Sequence, residues 1–396
     1  MKRVAIQFAR FGPYHLARID AAATALGITD WKVHGLETAG TDATYDWEEE
    51  TGEQSWMRHT VFPNEEWESI PPGRARKAMT DALDALKPDA ICISGWGSPD
   101  ARACLDWCKR NNAKAIVMSE TREVDGDRNW WKEKLKGMIV RRFDGGLVGA
   151  RSHRDYLVKL GLPAERIQLG YNVVNNEFFS KASDQFRQED ENLALRPYFL
   201  ASNRFIERKN LSRLIEAFAK ASDKPNSKAP DWDLCLLGDG LLAPRLKTQC
   251  EELGLMVSER APWEDSQENT SASVVFFPGF RQIEELPRFY ANAGCFVHPA
   301  LEEPWGLVIN EAMACGLPIL SSHNVGAAEE LVEDGVNGWN FNPASIPEIT
   351  RCLSRITLLN GGERSKMNAA SSELLEIHCP THAFGDGVKQ ALDPQD

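Results

Sequence analysis

The sequence predicts an α/β protein made of two doubly wound parallel sheets. Three observations point there. Short apolar runs alternate with stretches of helical spacing along most of the chain, the pattern of βα units. Several of those runs end in glycine turns, as at Gly12, Gly95-Trp96-Gly97 and Gly238-Asp239-Gly240, where open sheets of this type bind ligands. Its 396 residues, 42% hydrophobic and 26% charged, suffice for two domains of ordinary size with ample core.

In the first half, Val4–Phe8 reads as a strand, Arg10–His15 as a turn and Leu16–Leu26 as a helix. Trp31–Glu37 is a second strand. Residues 38–60 lose periodicity and carry an acidic cluster, Asp46 and Glu48 to Glu50, so a long loop is expected. Then Pro72–Leu86 (helix), Asp89–Ser94 (strand), Pro99–Asn111 (helix), Lys114–Ser119 (strand), Trp130–Arg142 (helix), Gly146–Gly149 (strand) and Ser152–Leu160 (helix) alternate. Gly170–Val174 closes the first domain, and the polar, acidic residues after 180 read as a linker. The expected division is an amino-terminal domain 1–180, a linker 181–196, a second domain 197–378 and a last helix in 379–396, within His382–Leu392, that crosses back to the first.

In the second half, Pro197–Ser202 is a strand and Leu211–Lys220 a helix, with the basic loop Asn203–Asn210 between them. Trp232–Leu237 and Val274–Phe277 are strands, and 256–273 is a polar insertion. Cys295–Val297 ends a buried strand, Glu302–Gly306 is a loop, and Leu307–Cys315 has helical spacing and good helix formers, stopped by Gly316-Leu317-Pro318. Ile319–Ser321 is a strand, Gly326–Glu329 opens a short helix, and Trp339–Phe341 follows a turn at Gly335 and Gly338. The Glu303 loop delivers a carboxylate beside the amino end of a helix, whose unpaired N–H groups and partial positive charge suit a phosphate. Glu311 follows, about a turn inside the helix. An anion cradle flanked by two acceptors suits a nucleotide diphosphate that carries hydroxyl-rich sugars.

Glu303, Pro304, Trp305, Gly306, Leu307, Glu311, Ala312, Met313, Ala314, Gly316 and Pro318 together resemble the E-x7-E signature of retaining GT-B glycosyltransferases, in particular the GT4 family; Pro304-Trp305 stands where Gly-Phe is commoner. The resemblance implies the GT-B fold, two Rossmann-like domains facing a cleft. It implies that Glu303 holds the transferred sugar near its anomeric carbon and Glu311 the ribose, with Trp305, Gly306, Leu307 and Val308 at the donor. Arg204 and Lys209 match the family's R-x4-K pair, two cations that bind the donor diphosphate, and fixed cations stabilise a leaving phosphate. Gly279-Phe280-Arg281 falls where the family contacts the nucleobase, so Phe280 joins the donor-binding set. The Gly12 turn resembles the first loop of the family's amino-terminal domain, or is a simple turn; His15 is a helix-start histidine or a sugar contact. Many members carry a histidine near the end of the Lys114–Ser119 strand. Here Glu120 and Arg122 follow instead, and Glu120 is either an acceptor-side base or the partner of Arg122. Asp125-Gly126-Asp127 is a turn rather than a metal triplet, and no metal or cofactor is expected.

The resemblance implies a retaining, metal-independent hexosyltransferase. It would move a hexose or N-acetylhexosamine from a nucleotide-sugar to a hydroxyl of a saccharide or lipid-linked acceptor, in surface polysaccharide or glycoconjugate synthesis. The rivals are a nucleotide-sugar-binding protein without transfer activity and an epimerase or phosphorylase on the same fold. Net charge −13 argues against general nucleic-acid binding. Nine cysteines without a C-x-x-C pair fit reduced thiols, and neither a signal peptide nor a membrane span is expected. The expected location is cytoplasmic. The tryptophans and cations of Trp130–Arg142 suit peripheral contact with an anionic membrane surface, against the plainer reading of a solvated helix.

Overall fold

A computed structural model describes residues 1–43, 47, 54–126, 128–189, 196–222, 232–264 and 273–393. The chain divides into two compact units, Met1–Asn175 with Cys379–Asp396, and Asn176–His378.

In the first unit the strands are β1 (Lys2–Phe8), β2 (Trp31–Thr41), β3 (Met57–Glu66), β4 (Ala90–Ser94), β5 (Lys114–Ser119), β6 (Gly145–Val148) and β7 (Ile167–Leu169). They form one parallel sheet in the order β3-β2-β1-β4-β5-β6-β7. The helices between them are α1 (Pro13–Leu26), α2 (Pro72–Leu86), α3 (Pro99–Asn111), α4 (Trp130–Val140) and α5 (Arg151–Leu160). The central strands are apolar throughout because both faces are covered: Val4, Ile6, Ile91, Cys92, Ile116 and Val117 are all buried. Proline in the first turn starts α1, α2 and α3, where its missing N–H costs nothing.

The second unit contains α6 (Asn176–Glu189), β8 (Tyr198–Ser202), α7 (Leu211–Ser222), β9 (Asp233–Leu237), α8 (Ala243–Glu252), β10 (Met256–Ser258), β11 (Val274–Gly279), α9 (Leu286–Asn292), β12 (Cys295–His298), α10 (Leu307–Ala314), β13 (Ile319–Ser322), α11 (Gly326–Leu331), β14 (Gly338–Phe341), α12 (Ile346–Leu358) and α13 (Gly361–His378). Its parallel sheet runs β10-β11-β9-β8-β12-β13-β14. The order reverses between β8 and β12, and such a switch point opens a crevice beyond the carboxyl ends of the two strands. The architecture is the expected one of two Rossmann-like doubly wound domains.

The last helix, α14 (Ala383–Leu392), belongs to the first unit. A Cβ on Gly385 would sit 2.3 Å from the Ala21 carbonyl oxygen of α1, and one on Gly387 would sit 2.6 Å from that of Leu169. Glycine at both positions lets the helix lie against backbone. Trp31 Nε1 donates to Asp393 Oδ2 at 2.8 Å, and Phe384 is fully buried.

Several expectations need correction. The loop expected over 38–60 is shorter, because β2 continues to Thr41 and β3 begins at Met57. As an edge strand β3 pairs on one side only, so it needs no apolar alternation and tolerates Pro63. Its Arg58 and Thr60 instead satisfy a fully buried carboxylate, Glu37, which also accepts from the Phe11 N–H. The acidic cluster at 46 and 48–50 lies outside the described residues. The expected linker begins inside a structured element: residues 181–189 are the second part of α6, held to the second unit by buried Phe179 and by Arg187, which donates to the carbonyls of Ala291 and Cys315. The insertion expected at 256–273 starts with the short strand β10, and 265–272 lie outside the described residues. All nine cysteines are free and buried.

Candidate active site

Two loops meet at the crevice between β8 and β12. The first leaves β8 at Asn203, makes one tight turn over Glu207–Lys209, and enters α7 through Asn210, whose backbone is left-handed (φ 60°, ψ 29°). That geometry turns the Asn210 amide inward, where Nδ2 donates to the carbonyls of Pro299 (3.0 Å) and Pro343 (2.8 Å). The Leu301 N–H, in the loop after β12, donates to the Arg208 carbonyl at 2.8 Å. Backbone and amide thus stitch the loops together, and Lys209 Nζ forms an ion pair with Glu303 Oε2.

Glu303 is fixed from behind. Its carbonyl accepts from the Gly326 N–H (3.0 Å) at the start of α11, and a Cβ on Gly326 would collide with the Pro304 carbonyl oxygen at 2.0 Å. Gly306 caps α10 with φ 102°, a conformation that side chains disfavour, and no side chain caps the helix start. The first-turn N–H groups at Leu307 and Val308, both half-buried, are the natural anion contacts of this helix.

The electrostatics follow from burial and neighbours. Burial alone would raise the Glu303 carboxyl. His298 and the Lys209 ammonium outweigh it and hold the group well below the usual carboxylate range, so it is ionised. Burial pulls Lys209 below the usual lysine value against the pull of Glu303, and the neighbouring cations Arg208 and Arg204 add to the fall. Arg204, Arg208, Lys209 and Glu303 therefore form one electrostatic cluster. Its arrangement can hold an anion against cations and a helix start while presenting a carboxylate beside it.

Glu311 is placed differently. It is fully buried on α10, and the Tyr290 hydroxyl donates to its Oε2 at 2.7 Å. Trp305, expected among the donor contacts, turns its indole into the core, 1% exposed, with Nε1 donating to Asn310 Oδ1 at 2.9 Å. It anchors the loop rather than lining its surface. Phe280 stays partly exposed after β11. Sequence reasoning assigned no role to His298, Tyr290 or Asn210. His298 carried a usable signal: a polar residue at the end of a buried strand, just before the Glu303 loop.

The remaining candidates belong to the first unit. The Gly12 N–H donates to His15 Nδ1 at 3.1 Å, so His15 completes the start of α1. Burial, with help from Arg18 and Arg10, lowers His15 to about 3 and keeps it neutral. The same device recurs at α5, where the Ala150 N–H donates to His153 Nδ1 at 3.0 Å. Glu120 is half-buried beyond β5, near Tyr171; burial pushes that phenol up to about 12, and Glu120 adds to the rise against the pull of Arg18. Arg122 pairs with Asp125 at 2.9 Å, which engages the first acid of the Asp125-Gly126-Asp127 turn; Asp127 lies outside the described residues. Among the described residues no cluster of three or more His, Cys, Asp or Glu could hold a metal ion.

Comparison with known proteins bears on the family and the fold. Residues 183–373 match the family described as glycosyl transferases group 1. An uncharacterized glycosyltransferase of Methanocaldococcus jannaschii is 29% identical over 197 residues, covering 46% of this chain and 44% of that protein. The alpha-D-kanosaminyltransferase of Streptomyces kanamyceticus is 28% identical over 232 residues, covering 58% and 54%. The chain spans about half the length of these two relatives. Among solved structures, Anabaena HepE in complex with UDP and glucose superposes with a TM-score of 0.71 at 17% identity, covering 100% of both chains. WaaG, a glycosyltransferase involved in lipopolysaccharide biosynthesis, superposes with a TM-score of 0.63 at 15% identity, covering 99% of this chain and 100% of that one. At these identities the superpositions speak for the fold.

Proposed function

Because residues 183–373 belong to the glycosyl transferases group 1 family, we propose that the chain is a retaining hexosyltransferase. It would take a hexose or N-acetylhexosamine from a nucleotide-sugar and pass it to a hydroxyl of a saccharide or lipid-linked acceptor. The observation that carries this reading is the Lys209–Glu303 ion pair, flanked by Arg204 and Arg208, at the switch point between β8 and β12. A diphosphate there would meet Arg204, Lys209 and the start of α10. As the glycosidic bond breaks, charge grows on the phosphate oxygen, and these fixed positive groups stabilise it more than they stabilise the ground state. Glu303, ionised and aimed by its neighbours, orients the sugar and stabilises the cationic transition state. In a front-face route the departing phosphate takes the acceptor proton. Glu311, steadied by Tyr290, serves the ribose, and Glu120 serves the acceptor. The UDP and glucose bound by HepE, whose fold this chain shares, support a nucleotide-sugar donor.

Retention is tested on the product. An α-linked nucleotide-sugar is expected to give an α-linked glycoside by NMR of the anomeric proton, whereas a β linkage contradicts the proposed mechanism.

The membrane reading gains support from α4. Trp131, Leu135 and Met138 share one face and are 50%, 52% and 60% exposed, and Trp130 is more exposed still. Lys132 and Lys134 are exposed on the same short helix, and Arg141 is exposed just past its end. Lys136 is not part of this surface, because it turns to Glu133 (2.8 Å) and the Tyr156 hydroxyl (3.2 Å). No described helix is long and apolar enough to cross a membrane. The proposal is therefore peripheral contact with an anionic leaflet. Each exposed lysine is worth about 1 kcal/mol at such a surface. Lys132→Gln with Lys134→Gln should therefore weaken binding to phosphatidylserine-containing vesicles roughly 30-fold at low salt, and Lys136→Gln should change it little. No vesicle binding by the parent at low salt leaves α4 as a solvated helix.

A further inference from the structure

The end of β12 holds a residue that the donor reading does not use. His298 is fully buried, and its ring lies nearly parallel to that of Phe296 (13° between planes, centroids 6.3 Å apart). Among the described residues, neither ring nitrogen has a hydrogen-bond partner at normal distance. Buried polar atoms in that condition are uncommon and costly, and each calls for an explanation. The group facing His298 supplies one. Nε2 lies 3.7 Å from Glu303 Oε2, the same oxygen that Lys209 engages. Nε2 also lies close under Gly306, where an added Cβ would stand 3.5 Å away. With the ring held by Phe296 and its own burial, and the Glu303 backbone tied to Gly326, any closer approach comes from the Glu303 side chain.

We propose that His298 is a positioning residue, a second hydrogen-bond donor that holds the Glu303 carboxylate in place when Lys209 turns to the donor diphosphate. Lys209 has one ammonium for two anions, the Glu303 carboxylate and the diphosphate. A phosphate that claims it leaves Glu303 in a buried site without its cation. The neutral imidazole, protonated on Nε2, sits on the same oxygen and needs to gain under 1 Å to make a full hydrogen bond. Glu303 then stays aimed at the sugar while Lys209 serves the leaving group. The carboxylate changes hands with no net proton transfer, because the imidazole keeps its proton throughout. Gly306 suits the arrangement, since its φ of 102° disfavours any side chain beside the two groups.

The kinetic half of this inference rests on the donor reading above; the spectroscopic half does not. In ¹⁵N-histidine spectra of the whole protein, the signal assigned through His298→Leu should be the neutral, Nε2-protonated tautomer. Its Nε2 proton should move downfield in Lys209→Ala, where Glu303 is released to it, and upfield in Glu303→Gln. An Nδ1-protonated tautomer, or a signal blind to Glu303→Gln, overturns the proposal whatever the protein catalyses. In transfer assays His298→Leu should lower kcat about tenfold or more with nucleotide diphosphate affinity within twofold of the parent. His298→Gln, which restores an N–H donor, should recover most of that loss. Leu and Gln variants equally impaired, or affinity falling in step with kcat, mark a packing role and overturn it too. If His298→Leu does not fold by circular dichroism, the Gln variant supplies the assignment, and the Lys209→Ala and Glu303→Gln spectra decide. A parent protein that transfers no sugar counts against the donor reading and leaves the spectroscopic result standing.

Discussion

Lys209→Ala is expected to lower kcat/KM for sugar transfer at least a hundredfold, and Arg204→Ala to do the same. Both cations belong to the cluster around the β8–β12 crevice, where a leaving diphosphate would build charge. Removing one fixed contact of this kind typically costs about 2.7–4 kcal/mol of barrier. Lys209 carries a second consequence. Its side chain is 11% exposed and that of Glu303 12%, so the Ala variant removes the cation from a nearly buried carboxylate. Breaking a fully buried pair from one side costs about 3–5 kcal/mol of stability, and residual solvent contact lowers that figure here. The pH dependence has a definite sign. The folded Glu303 value is depressed, so the stabilisation is complete above the unfolded carboxylate value of about 4.3. It is lost as pH falls through the folded value. The gap in stability between Lys209→Ala and the parent should therefore be widest near neutrality and close in strong acid. Denaturant titrations at several pH values, with steady-state kinetics, read both effects. Combining Lys209→Ala with Glu303→Gln should be clearly less than additive in stability, since the two residues share one interaction. A Lys209→Ala variant that keeps near-parental transfer rates contradicts the assignment of the clamp.

Phe384→Ala is expected to destabilise the first unit by about 3–5 kcal/mol, although the residue lies near the carboxyl end of the chain. Phe384 is fully buried, its ring centroid is 6.3 Å from that of Tyr171, and it belongs to the same core as β1 and α1. The glycine contacts of α14 with α1 and β7 leave the helix little room to shift into the cavity. Urea unfolding followed by tryptophan fluorescence should report the loss, because Trp31 donates to Asp393 at the far end of α14. A change below about 1 kcal/mol, far under the usual cost of such a cavity, means that α14 is a loose tail.

Much of the candidate site in the second unit was legible in the sequence because its residues are local. Glu303, Gly306 and Glu311 sit in one strand–loop–helix whose pattern is readable locally, and Arg204 and Lys209 sit in one loop after another strand, where the family resemblance singled them out. That Lys209 and Glu303 touch was not legible. It depends on Asn210 reaching the carbonyls of Pro299 and Pro343, contacts across 89 and 133 positions of sequence. Trp305 was placed at the donor by the resemblance; that its indole finds Asn310 in the core is a matter of packing that a motif match does not reveal. The strand β3 escaped notice because an edge strand can be polar, and the first helix of the second unit read as linker because little more than Phe179 and Ser183 on its inner face is buried. His298 and Tyr290 were invisible as partners, since burial and a neighbour's carboxylate leave no trace in spacing.

The central claim is that the β8–β12 crevice binds the diphosphate of a nucleotide-sugar. Isothermal titration of the parent and of Arg204→Ala with UDP, GDP and ADP, and with the matching nucleosides, tests it most directly. The account predicts that at least one nucleoside diphosphate binds the parent, that its nucleoside binds far more weakly, and that Arg204→Ala removes most of the difference while leaving nucleoside binding unchanged. Failure of every nucleoside diphosphate to bind, or binding that Arg204→Ala leaves intact, would contradict the account.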